Sequence, residues 1–224
     1  MASYRLNVAR IQGCPAPKDV DQAMADFALP ETEEFGVLNH SATSAAAFGT
    51  MVRKTQQSVQ TLDEEAGEVT ASSVERVQVY PFAVRPEAEI LEVYAGSASA
   101  IEQLATFFSS CLALPTVVET IELDVLSAIE KLSKSTQRFQ LRSARVSDYA
   151  HNSYMAGAYA PKFLDSQHGV NFLEEYADFV STAQVRFAGP SGRVNVHLSP
   201  KACFRYSCHE DDQATVQSIL RKLL

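Results

Sequence analysis

"AQVRFAGPSGRVNVHLSPKACFRYSCHEDDQATVQSILRKLL" (Ala183–Leu224) decides the fold. Three short runs alternate apolar and polar residues with period two, "AQVRFA", "RVNVHL" and "ACFRYSC", joined by "GPSG" and "SPK". That is the pattern of antiparallel strands with one face buried. The closing "DDQATVQSILRKLL" changes to a helical period. Strands in hairpin succession followed by a packed helix indicate an α+β fold with a largely antiparallel sheet.

Working outward, the same logic reads the rest of the chain. "YRLNVARI" sets Tyr4, Leu6 and Val8 against Arg5 and Asn7, which is a strand, and Asp19 is placed to cap a helix carrying Val20, Ala23, Met24 and Phe27. Pro30 ends that helix. "ETEEFGVLNHSATSAAAFG" has no clear period and reads as loop with some short helix. The arms Val52–Thr61 and Val69–Val84 form a ribbon joined through Asp63–Gly67. A helix through "VRKTQQSVQTLDEEA" is the competing reading, so 44–74 is open between strand and helix. "EILEVYAG", "TVVETIEL" and "QRFQLRSARV" are strands. "SASAIEQLATFFSSCL", "DVLSAIEKLSKS" (from Asp124) and "VNFLEEYADFV" are helices. Between them, Ser147–Gly169 reads as a long loop, of the kind that often carries function. "VQVYPFAVRPEAEILEVYAGSASAIEQLATFF" and the segment from "VNVHL" to the C-terminus share a β-turn-β-α order, which suggests an internal duplication.

Charge divides the chain. Residues 1–135 hold 9 Lys and Arg against 19 Asp and Glu, while residues 136–208 hold 8 against 5, within a net charge of −8. We therefore expect an acidic α+β portion over 1–135 and a mildly basic one over 136–224, the two being compatible with one continuous domain. No apolar run approaches the ~20 residues of a membrane span, and "MASYRLNVARIQG" reads as mature sequence rather than a signal peptide. Four cysteines without a CxxC pair fit a reducing cytoplasm.

The His, Cys and acids of "CFRYSCHEDD" resolve into structural roles. Cys203 and Cys208 are an odd number of residues apart, so a strand sends them to opposite faces, which is poor zinc geometry. Phe204, Tyr206 and Cys208 form the buried row, and Asp211 or Asp212 caps the last helix. His40, His151, His168, His197 and His209 can be paired with Cys14, Cys111, Cys203 or Cys208 only arbitrarily. GxSxG, HExxH, Walker and GxGxxG signatures are absent. No catalytic residue, metal or other cofactor is expected, and an enzyme of unrecognised type using a Cys or His is the least favoured of the readings.

What remains is the outward row. With Val185, Phe187, Val194, Val196, Leu198, Phe204 and Tyr206 buried, the other face carries Gln184, Arg186, Arg193, Asn195, His197, Lys201, Cys203 and Arg205. Arg138 and Arg142 join it if their strand enters the same sheet. Arginine suits bidentate contact with carboxylates and phosphates. The expected partner-binding set is Arg138, Arg142, Arg186, Arg193, Asn195, His197 and Arg205, together with Tyr149, His151, Tyr154 and Tyr159 of the long loop. The corresponding function is a non-enzymatic interaction or adaptor subunit of a cytoplasmic multiprotein assembly, with a protein partner. The alternative is a nucleic-acid-binding subunit gripping phosphates through the same arginines, and it lacks stacking aromatics on that face.

Overall fold

The computed structural model describes residues 1–27, 34–63, 68–96, 99–152 and 155–224. Among them are five α-helices and eleven strands, mostly antiparallel, which makes this an α+β protein. They form two compact units, one of Arg10–Val118 and the other of Met1–Ala9 with Glu119–Leu224. The first strand, β1 (Ala2–Gln12), contributes to both.

In the Arg10–Val118 unit, α1 (Pro17–Asp26) begins with proline at its first turn; its N-cap is Ala16, without a side-chain cap, so Asp19 lies inside the helix rather than capping it. A proline there sacrifices only an N–H that would have no partner in the helix. Within the segment read as loop, Phe35–Ala42 and the residues from Ala47 on are instead strand. β2 (Phe35–Ala42) pairs with the start of β3 (Ala47–Asp63), their small residues standing opposite one another as Ala42 against Ala47. Small polar and alanine residues hide the period, and pairing to β3 overrides weak local preference. β3 pairs with β4 (Glu68–Arg85) from Ala47–Val84 to Asp63–Glu68, so 47–63 is strand and not helix; the joining residues 64–67 lie outside the described ones. β4 turns into β5 (Ile90–Val93), which precedes α2 (Ser99–Thr106) and a π-helical turn at Phe107–Cys111. Pro30 and the start of "SASAIEQ" at residues 97–98 also lie outside the described residues. The core gathers Met24, Met51, Phe82, Leu104, Phe107 and Phe108. Gly49 admits α1 to it, because a Cβ there would sit 2.6 Å from Phe82 and 2.7 Å from Met24.

The other unit follows β6 (Val117–Thr120) with α3 (Val125–Ser135), whose N-cap Asp124 accepts the N–H groups of Leu126 at 3.0 Å and Ser127 at 3.3 Å. β7 (Gln137–Asn152) and β8 (Met155–Tyr159) form a hairpin through the first part of the segment read as a long loop. Its alanines and tyrosines were legible as loop because their alternation is broken by register shifts at 146–149 and 150–152. α4 (Ser166–Glu175), capped by Asp165, starts earlier than the apolar period suggests and gives way to a 3-10 turn at Ala177–Phe179. β9 (Val180–Ala188), β10 (Arg193–Leu198), β11 (Cys203–Cys208) and α5 (Gln213–Arg221) complete the unit. Strand order is β1-β11-β10-β9-β7-β8, every pairing antiparallel. α3 packs against β7 and β9, and α5 against β11. Between helices and sheet lie Val185, Phe187, Val194, Val196, Phe204 and Tyr206, all nearly inaccessible. Burying each of these side chains contributes about 1.5–3 kcal/mol before entropy is counted. Apart from β1 and β6, each unit has the order helix, four strands, helix, with β8 and α4 additional in the second.

Candidate functional site: a cationic sheet face

With the apolar row of β9–β11 against the helices, alternation turns the polar row the other way, and register sorts it into two cross-strand lines. Arg205 stands opposite His197 and His197 opposite Gln184; Ser207 stands opposite Asn195 and Asn195 opposite Arg186. β1 extends both lines, Arg5 opposite Arg205 and Ser3 opposite Ser207. At the far side a bulge in β7 sets Leu141 and Ser143 against consecutive residues of β9, and Ser143 bridges to Lys162. The extra residue of the bulge is Arg142, which re-aims its side chain onto this face.

The result is a hollow of about 510 Å³ lined by Arg142, Lys162, Arg186, Arg205, His197 and Asn195, among others. A second hollow of about 550 Å³ shares Arg186 and adds Arg138 and Arg193 beside the β9–β10 turn. Neither is lined by an Asp or Glu. Among the described residues, no carboxylate forms an ion pair with Arg142, Lys162, Arg186, Arg193 or Arg205. Arg5, directly opposite Arg205, adds a further cation to the row.

Two polar details organise the surface. Arg186 donates its Nε–H to Asn195 Oδ1 at 2.9 Å, and Asn195 Nδ2 donates to Ser207 Oγ at 3.2 Å, a chain across β9, β10 and β11. His197 keeps Nδ1 buried with no hydrogen-bond partner among the described residues. Burial, and then the neighbouring Arg205, push its imidazole pKa below the ordinary value, so the ring is neutral at pH 7.

The sequence-derived residues divide accordingly. Arg142, Arg186, Asn195, His197 and Arg205 line the first hollow; Arg138, in left-handed backbone (φ 53°), and Arg193 line the second. Tyr149 and His151 belong to β7, but their side chains lie outside the described ones, and Tyr154 lies outside the described residues altogether. Tyr159 is exposed on β8, its ring 5.9 Å from that of Phe172, and it lines neither hollow. Sequence reasoning missed Ser3, Arg5, Ser143 and Lys162. The alternation of β1 already pointed Arg5 outward; what it lacked was the strand to set it beside.

The chemistry of the opening stretch is structural. Cys208 is buried, and burial pushes the thiols of Cys203 and Cys208 up, and that of Cys14 to about 11, which disfavours thiolate chemistry. Asp212 does not cap α5 with its side chain; both its oxygens accept the Ser191 N–H instead, and His209 Nδ1 accepts the Asp211 N–H. Among the described residues no group of three or more His, Cys, Asp or Glu is placed to hold a metal ion, and no helix is long and apolar enough to cross a membrane. No protein-family model matches the chain, and no curated protein matches it either.

Proposed function

We propose that this chain is a non-enzymatic interaction subunit of a cytoplasmic multiprotein assembly, and that the β9–β11 face receives an acidic segment of a partner protein. The observation that carries this reading is the cation-lined hollow without a single lining carboxylate, in a chain whose net charge is −8. A solvated face interleaves both signs; a face cleared of acids is complementary to an anion. The arginines supply bidentate contacts to carboxylates, and Asn195, Gln184 and Ser207 supply neutral hydrogen bonds to peptide groups.

The test is native isolation of the protein and of the variant in which Arg186, Arg193 and Arg205 are changed to Glu. Partner identity is read by mass spectrometry and nucleic acid by the ratio of absorbance at 260 and 280 nm. A stoichiometric protein partner that the variant loses supports the reading. The same partner on both proteins ends it. Nucleic acid released steeply by salt replaces it with the phosphate-binding alternative.

A further inference from the structure

We propose that this face is a two-subsite reader of an extended peptide carrying two acidic side chains four residues apart, with Arg186 between the subsites. The proposal rests on the reading above and adds the geometry of the ligand.

The two hollows meet at Arg186, the one lining residue among the face's cations that both share. The first is built on the Arg205–His197–Gln184 line and flanked by Arg142 and Lys162. The second is built around Arg193, which pairs with Ala188, and Arg138 of β7. Along β10, Arg193 and His197 are four residues apart, with Asn195 and its Arg186 bond midway. At a strand rise of about 3.4 Å per residue, Arg193 in the second hollow and His197 in the first are about 14 Å apart along β10. An extended peptide lying along β10 has the same rise, so anions seated in both hollows come from its positions i and i+4. The even spacing also matters: side chains of a strand alternate, so i and i+4 both point at the sheet while i and i+3 point to opposite sides. Position i+2 faces the sheet as well, over the Arg186–Asn195–Ser207 chain.

A peptide fits this face better than a single-stranded nucleic acid. The aromatic side chains that reach the hollows are Phe187 and Tyr206, both buried in the helix-side core, so no ring is presented for base stacking. Asn195, Gln184, Gln140, Ser3, Ser143 and Ser207 line the hollows with amides and hydroxyls suited to a peptide backbone.

The experiment measures fluorescence anisotropy of labelled synthetic peptides in a Ser/Thr background, bearing one Glu, two Glu at i and i+3, or two Glu at i and i+4. An oligothymidylate is the comparison probe. The i,i+4 peptide is expected to bind at least ~10-fold tighter than the i,i+3 peptide. Arg193→Glu should reduce it to the level at which the unaltered protein binds the single-Glu peptide, and Arg193→Gln should do so partially. Circular dichroism confirms that each variant is folded. Equal affinity for the two spacings overturns the two-subsite proposal while leaving charge-driven binding of acidic partners intact. Failure of every acidic peptide to bind overturns both. Oligothymidylate binding more tightly than the i,i+4 peptide overturns both in favour of a phosphate reader.

Discussion

The carboxylate of Asp212, 1 % exposed, accepts the backbone N–H of Ser191 with both oxygens at 3.1 Å. The residue just before α5 therefore holds the β9–β10 turn, and with it the lip of the second hollow beside Arg193. Gly189 makes room for the contact, since a Cβ there would lie 2.7 Å from Asp212 Oδ2. Asp212→Ala removes the acceptor that holds this exposed turn, and is expected to cost about 0.5–1.5 kcal/mol in denaturant unfolding. Asp211→Ala, at the exposed neighbour, should stay within about 0.5 kcal/mol. Equal midpoints for the two variants would refute the staple.

A second buried acid governs the other unit. Glu92, with no exposure, accepts the Tyr94 hydroxyl at 2.7 Å and the Arg85 Nε–H at 3.3 Å. Tyr94→Phe removes a hydroxyl donor from a buried carboxyl, and is expected to lower stability by about 0.5–1.5 kcal/mol. Arg85→Leu, which removes both the Nε–H donor and the cation beside Glu92, should cost more, up to about 3 kcal/mol. Urea midpoints for the two variants check the order as well as the size.

Arg186 tests orientation rather than charge. Arg186→Lys keeps the cation but removes the Nε–H that Asn195 accepts and the planar fork that pairs with a carboxylate. Binding of a diacidic peptide is expected to fall about 10-fold, about 1.4 kcal/mol, while thermal stability hardly moves. An unchanged dissociation constant would show that charge alone matters there.

His197 sets a pH dependence. Its folded-state pKa lies below the ordinary histidine value because of burial first and Arg205 second. As pH falls through about 6.5, the unfolded chain takes up this proton before the folded one does, so the folded state loses stability on acidification and keeps it in full above that range. His197→Gln removes this proton. The wild-type denaturation midpoint should therefore drop more steeply than the variant's between pH 7.5 and 5, and parallel profiles would sink the assignment.

Much of this was legible in the residues. Val194, Val196 and Phe204 alternating with Arg193, Asn195 and Arg205 determine which face of each strand is buried, because a period of two leaves no other choice. The same pattern determined the α+β class and put Asp124 at the head of α3. Other features were illegible for a common reason. The β7–β8 hairpin and β2 rest on pairing with distant strands, and bulges or runs of small residues erase their local period. Asp212 looked like a helix cap because adjacency in sequence suggested it, whereas its partner is 21 residues away.

The sequence by itself determined the outward row of arginines and the buried row beneath it, since alternation along one strand is a local property. Only the tertiary structure decided that Arg142 and Lys162 join Arg186 and Arg205 around one hollow and that Arg5 stands opposite Arg205. It likewise decided that no carboxylate enters with them. Those facts depend on register between strands far apart in the chain, and register is settled by burying the apolar face as a whole.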